Sequence, residues 1–176
     1  MPDGAVVFST DDDGFTGILS AAEGGELHTH PGVKTWDEIR EILNQYPAGS
    51  VTAIVFVGHG SSDGGIQAGD PNETTDDIAA SSIPSDVATQ IDDVLIDDGK
   101  IYVMSCCQFI SYTAQHLQLL ANLTGHPVVA NEGSVWYTWD WAFWMGIFFW
   151  DANVTGDGNW VEIAPLDVEL TSPYQD

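Results

Sequence analysis

The feature that most constrains the fold is the ten-residue segment 51–60, which reads Val-Thr-Ala-Ile-Val-Phe-Val-Gly-His-Gly. Its first seven residues are almost all apolar or β-branched, a pattern typical of a strand buried on both faces of a parallel sheet. Gly58 and Gly60 permit a tight bend where this strand ends. The segment therefore predicts that the imidazole of His59 lies at the carboxyl edge of a core sheet, where ligands bind in open α/β proteins.

The segments around this strand predict an alternation of helices and strands. Thr35 followed by Glu38 is a capping-box pattern, which predicts a helix that begins there and runs to about Tyr46. Further helices are predicted at 84–98 and 111–123, and further strands at 5–10, 100–107, 127–130 and 160–170. The order strand, helix, strand, helix, strand over 51–130 predicts an α/β fold with a parallel sheet and right-handed crossovers. We expect a single domain over residues 1–176.

Three polar segments are interpreted as connections. Residues 23–32, which include His28 and His30, are expected to form a loop, and so is the acidic segment 70–82. Residues 61–69 are rich in turn-forming residues and are expected to form either a small hairpin or a loop. His28 and His30 could ligate a metal, but no third ligand has a recognisable spacing, so no metal site is predicted.

The charge of the chain is strongly negative. Asp and Glu number 27 against three Lys and Arg, which gives a net charge of −24. A nucleic acid or an anionic membrane surface is therefore not expected as a partner, because such binding needs Lys and Arg. Two interpretations stay open, namely solubility in high salt, as in a halophilic protein, and attraction of a basic substrate or partner. The even spread of the acids along the chain favours the first.

The location of the protein is predicted from two further features. No apolar run is as long as a membrane-spanning helix. The segment Met-Pro-Asp-Gly at the beginning has no basic stretch followed by an apolar one. We therefore expect a cytoplasmic protein.

The two cysteines, Cys106 and Cys107, are adjacent and lie at the end of the predicted strand 100–107. This arrangement does not indicate a disulfide framework. It places a thiol at the same sheet edge as the imidazole of His59, and a thiol with an imidazole forms a nucleophile and its base. The backbone N–H groups of Gly60 and Cys107 are then placed to form an oxyanion hole. The alternative is that both cysteines are small buried hydrophobic residues.

These two motifs resemble those of the caspase-like (clan CD) cysteine peptidases, which include caspases, metacaspases, legumain, gingipain and the bacterial CHAT domains. In that group one apolar strand ends in His-Gly, and a later one ends in a small residue and Cys. Caspases place the His about 50 residues before the Cys, and here Cys107 follows His59 by 48 residues. The resemblance covers about residues 35–135 and is nearest to CHAT and metacaspase-like domains.

The resemblance implies a three-layer fold, in which helices flank a mostly parallel central sheet, and a cysteine endopeptidase activity. It implies a catalytic dyad of His59 and Cys107, and it calls for no cofactor. Aligned from the start of the strand, Cys107 takes the nucleophile position and Cys106 that of the small residue before it. Alternation along the strand places their side chains on opposite faces, so only one of them can meet His59.

The sequence departs from the family pattern after the nucleophile. Gln108-Phe109-Ile110 replace the Gly or Ser-Gly that usually follows it. This departure keeps open a catalytically inactive caspase-like module that acts in protein–protein interaction or assembly. A different Cys-His acyl-transfer enzyme on a similar sheet is a third possibility.

Two other features bear on the substrate or partner. Some members of the caspase-like group cleave after Arg or Lys. In them, acidic residues near the end of the first strand and near the end of the strand that precedes the His line the pocket for the residue before the cleaved bond. Asp11, Asp13 and Asp63 match those places, which implies a preference for a basic residue there.

Segment 136–150 holds five of the seven tryptophans, and we interpret it as a cover for one end of the sheet. The alternatives are an aromatic wall for a substrate and a docking face for a protein partner.

Overall fold

The computed structural model describes residues 3–9, 27–60, 65–67, 77–79, 82–105, 113–133, 135–137, 154–156 and 158–166. Three helices lie in these ranges: α1 (Trp36–Leu43), α2 (Ser85–Val94) and α3 (Thr113–Thr124). The strands are β1 (Asp3–Ser9), β2 (Leu27–His30), β3 (Val51–Val57), β4 (His59–Gly60), β5 (Gly65–Gln67), β6 (Asp77–Ala79), β7 (Leu95–Met104), β8 (Val128–Asn131), β9 (Val135–Tyr137), β10 (Val154–Gly156) and β11 (Trp160–Ile163).

Six of these strands form the central sheet, in the order β11-β8-β7-β3-β1-β2. All neighbours in it are parallel except β11, which runs antiparallel to β8. The chain is therefore an α/β fold with a mostly parallel central sheet, which confirms the prediction. The chain runs outward from β1 to β2 and returns to β3 on the other side of β1. This reversal is a topological switch point, and ligands bind outside the carboxyl ends of the strands at such a point.

The two faces of β1 and β3 are both buried, as the apolar run 51–57 predicts. One face packs against the three helices, which lie side by side in the order α1, α2, α3. That core includes Phe8, Ile54, Phe56, Ile101 and Val103 from the strands, and Ile39, Leu43, Ile91, Leu117 and Leu120 from the helices. The other face carries Ala5, Val7, Ala53, Val55 and Val57, all of them buried. A second helical layer, which the resemblance implies, is not among the described residues.

The beginning of α1 confirms the capping box. The Thr35 side-chain oxygen accepts a hydrogen bond from the Glu38 N–H at 3.2 Å, and the Glu38 carboxylate accepts one from the Thr35 N–H at 3.2 Å. The same carboxylate also accepts the Lys34 N–H at 2.7 Å. At the end of α3, Gly125 has φ +70°, a left-handed conformation that only glycine adopts without strain.

The predicted helix 84–98 is four residues too long, because α2 ends at Val94 and β7 begins at Leu95. Val94 and Leu95 are both buried, so an apolar pattern at this point fits a helix and a strand equally well. Leu95 pairs with Val51 and Lys100 with Ala53, so residues 96–99 form a bulge in β7. In this bulge a Cβ on Gly99 would lie 2.9 Å from the carbonyl oxygen of Ile96.

Two of the predicted loops contain strands. Residues 27–30 form β2, a parallel edge strand on β1, although the sequence Leu-His-Thr-His suggested a loop. The segment 70–82 contains β6, in which Ile78 is buried. Of the segment 61–69, residues 65–67 form β5, which pairs with β4 and β6 in a small antiparallel sheet, and the rest of the segment lies outside the described residues. The loop predictions for 23–32 and 70–82 were wrong at 27–30 and at 77–79, because short strands among polar residues at a sheet edge resemble loops in sequence.

The amino edge of the sheet is tied together by hydrogen bonds between elements. The buried His126, before β8, has Nδ1 3.1 Å from the Gly99 carbonyl oxygen and Nε2 3.2 Å from a carboxylate oxygen of Asp92 in α2. Ser50 N–H donates to the Val94 carbonyl oxygen at 3.0 Å, which joins the start of β3 to the end of α2. His126 thus joins three elements of the fold at this edge.

Candidate functional site at the carboxyl edge of the sheet

The strand that precedes His59 and the strand that precedes the cysteines are neighbours in the sheet. β3 and β7 are parallel, and their last register partners are Val57 and Met104. Gly58 N–H donates to the carbonyl oxygen of Met104 at 3.5 Å. Adjacent strands are about 4.8 Å apart, so the chain leaves both strands at closely spaced points of the same edge.

Most of the predicted site side chains lie outside the described residues. Asp11, Asp13, Asp63, Cys106 and Cys107 are among them. His59 and Gly60 are described in backbone only, as β4, where they pair with Gln67 and Ile66 of β5. The bend between β3 and β4 falls at Gly58, as predicted. The dyad and its oxyanion hole stay predictions.

An aromatic row on the helix side ends just before the carboxyl edge. The Phe8 ring is stacked between His30 and Phe56, with centroid distances of 5.8 and 5.7 Å. Trp36 meets Phe56 edge to face at 5.9 Å. The row crosses β2, β1 and β3, and it makes the helix side of the switch point rigid and apolar.

Ser9 occupies the end of β1 at the switch point, and no sequence motif marks it. The residue is 2% exposed, and its register partner on β3 is Val57. Its carbonyl oxygen accepts the Val33 N–H at 3.0 Å. Its hydroxyl has no hydrogen-bond partner among the described residues. Burying a hydroxyl without a hydrogen-bond partner costs free energy. The Ser9 hydroxyl is therefore a candidate hydrogen-bonding group at this edge.

A second cluster of titratable side chains lies on β2. His30 Nε2 is 2.9 Å from the Tyr46 hydroxyl, and the His28 ring meets the Tyr46 ring edge to face at 5.4 Å. Burial lowers the pKa of His30, and the nearby His28 imidazole lowers it further. Within the described ranges, no group of three or more His, Cys, Asp or Glu side chains is arranged to hold a metal ion.

The three basic residues of the chain all lie in the described part. Arg40 bridges Asp37 and Asp86, at 2.9 and 2.5 Å, and so links α1 to α2. The hydrogen bond to Asp86 raises the pKa of Arg40, and the same bond lowers the pKa of Asp86. Lys100 lies 2.7 Å from Glu162 of β11, and that contact raises the pKa of Lys100. Lys34 is exposed and also has an interaction partner.

The aromatic segment 136–150 is described only at its start. Trp136 and Tyr137 belong to β9, which pairs antiparallel with β10. The docking interpretation of this segment stays a prediction. In the part of the chain that the structure covers, no helix has the length and apolar character needed to cross a membrane.

Comparison with known proteins gives no family assignment. The sequence matches no protein-family model, and no curated protein matches it at a significant level. The sequence motifs and the geometry of the carboxyl edge are therefore the observations that bear on function.

Proposed function

We propose that the protein is a cysteine endopeptidase whose nucleophile is Cys107 and whose base is His59. The observation that supports this proposal best is the register of β3 and β7, in which Val57 and Met104 are partners. His59 comes two residues after this pair and Cys107 three residues after it. Two chemically complementary residues thus follow adjacent strand ends, beside the switch point of the sheet.

The proposed reaction uses each of these groups in a defined step. The Cys107 sulfur attacks the peptide carbonyl carbon while His59 holds the thiol proton. The N–H groups of Gly60 and Cys107 stabilise the oxyanion of the tetrahedral intermediate. His59 then protonates the leaving amine as the C–N bond breaks, which leaves a thioester. Water activated by His59 attacks the thioester and releases the acid and the free thiol.

The placement of the basic residues supports a preference for a basic residue before the cleaved bond. A pocket that recognises an acidic side chain needs Arg or Lys. Arg40 and Lys100 are held in ion pairs at other places, and Lys34 is engaged as well. The carboxylates expected to receive a basic side chain are Asp11, Asp13 and Asp63.

Covalent labelling with peptidyl acyloxymethyl ketones tests the proposal. The wild-type protein and Cys106→Ala, the matched control, are expected to be labelled, with an Arg-containing probe reacting faster than its Asp counterpart. Cys107→Ala is expected to be unlabelled. Equal labelling of wild type and Cys107→Ala would refute the nucleophile assignment. A folded wild type that no probe labels, at low or high salt, would favour the inactive interaction module.

A further inference from the structure

Two imidazoles and a phenol converge at β2, the last strand of the central sheet in the part of the chain that the structure describes. His28 and His30 are two residues apart on β2, so their side chains share one face of the strand. Their register partners on β1 are Val6 and Phe8, which places both on the side of the helices. Tyr46, shortly after α1, packs against both rings, with centroid distances of 5.4 Å to His28 and 6.3 Å to His30.

The distance between the donor atoms of His30 and Tyr46 fits metal coordination. Two ligands that bind one ion at right angles, each at about 2.1 Å, stand about 3 Å apart. His30 Nε2 and the Tyr46 oxygen are 2.9 Å apart, so an ion can replace the hydrogen bond between them with little movement. The stack of His30 on Phe8 fixes the ring plane of His30, which reduces the reorganisation that binding requires.

We propose that His28, His30 and Tyr46 form a binding site for a divalent metal that prefers imidazole ligands, such as Cu²⁺, Ni²⁺ or Zn²⁺. The two imidazoles supply the nitrogen ligands, the Tyr46 oxygen occupies an adjacent position, and water completes the coordination. The preference follows from ligand type, because imidazole suits these ions whereas carboxylates suit Mg²⁺ and Ca²⁺. The charge of −24 also raises the local concentration of cations around the protein.

All three residues of this site are partly exposed. His28 and His30 are neither fully buried nor fully exposed, and β2 is the last strand of the central sheet. The cluster is thus less enclosed than His126, whose two ring nitrogens are engaged in the buried amino edge. A metal at β2 would join the edge strand to the chain that follows α1.

Calorimetric titration of the untagged chain with Ni²⁺, in excess Mg²⁺ to occupy carboxylates, tests this site. We expect one Ni²⁺ per chain and a loss of affinity of about tenfold or more in His28→Gln and in His30→Gln. Tyr46→Phe keeps the ring and is expected to lose about tenfold. His116→Gln, which removes an imidazole from α3, is the matched control and should bind as the wild type does.

A spectroscopic measurement distinguishes this site from binding to carboxylates. With Cys106 and Cys107 both replaced by Ser, bound Cu²⁺ should give an electron paramagnetic resonance spectrum with hyperfine coupling to nitrogen. The proposal is overturned if the His28→Gln/His30→Gln double variant binds Ni²⁺ as tightly as the wild type, or if only oxygen ligands are seen. Circular dichroism verifies the fold of each variant. Neither readout depends on peptidase activity, so failure here is separable from failure of the proposed function.

Discussion

Val57 of β3 and Met104 of β7 are register partners at the carboxyl edge of the sheet. His59, the proposed base, and the two cysteines follow this pair directly in the chain. The Gly58 N–H donates a hydrogen bond to the Met104 carbonyl oxygen, which joins the two segments where they leave the sheet. This register brings the end of the strand before Gly-His-Gly and the end of the strand before the cysteines to neighbouring points of one sheet edge.

The base is tested by replacing His59. We expect His59→Gln to lower the second-order rate of Cys107 labelling by about 10²- to 10⁴-fold, because proton transfer by a positioned side chain contributes about that much. The rate is measured with the peptidyl ketone that labels the wild type best. His116→Gln serves as the control and should keep the full rate. An unchanged rate in His59→Gln would remove His59 from the mechanism.

The stability of the fold is expected to rise with salt concentration. With 27 acidic and three basic residues, the folded chain repels itself, and screening relieves this repulsion. The Debye length falls from about 30 Å at 0.01 M to about 3 Å at 1 M ionic strength. The midpoint of thermal unfolding, followed by circular dichroism, should increase over that range of KCl. Choline chloride at equal ionic strength should have a similar effect, and a flat or falling midpoint would contradict the prediction.

The capping box of α1 makes a separate contribution to stability. Thr35→Ala removes the acceptor of the Glu38 N–H and should lower the free energy of unfolding by about 1 kcal/mol. Thr89→Ala in α2 is a matched control, because among the described residues the Thr89 hydroxyl bonds to the Ser85 carbonyl oxygen within its own helix. Its effect is expected to be near zero or slightly stabilising, since Ala has the higher helix propensity. Urea unfolding of both variants measures the difference. Equal losses of unfolding free energy in the two variants would contradict a stabilising contribution of the cap.

The Arg40–Asp86 pair is expected to stabilise the protein in a pH-dependent way. The pKa of Asp86 is lowered in the folded state by its bond to Arg40, so the pair is fully formed above the ordinary pKa of an aspartate. Its contribution disappears as the pH falls through the lowered pKa. The difference in thermal midpoint between wild type and Arg40→Gln should therefore shrink with acidification from neutral pH. If this difference stayed constant down to the lowest pH at which the protein is folded, the ionised carboxylate of Asp86 would not be the source of the stabilisation by Arg40.

The central strands were predictable because a single local pattern specifies them. Residues 51–57 are buried on both faces and read as an apolar run, and the Thr35–Glu38 box marks the start of α1 without any tertiary information. β2 was not predictable, since Leu-His-Thr-His is polar and its partner β1 is remote in sequence. The boundary between Val94 and Leu95 was missed because both residues are buried, whichever element they belong to.

The same distinction applies to the candidate sites. The end of β3 was predicted from Gly58, whereas the strand predicted at 100–107 is described only to Met104, and the cysteines lie outside the described residues. The contact between His30 and Tyr46 joins residues 16 positions apart through the packing of α1 on the sheet, and the sequence carries no sign of it. The burial of the Ser9 hydroxyl is likewise a property of the assembled edge.

The hydrogen bonds around His126 have a consequence for how this scaffold can vary. They clamp α2, the bulge of β7 and the start of β8 at the amino edge, while the segments after β1, β3 and β7 leave from the opposite edge. Replacing those segments, as in a library of exchanged loops, leaves the clamp untouched. The scaffold is therefore suited to directed evolution in which the loops at one end of the sheet vary while the bonds at the other end are kept.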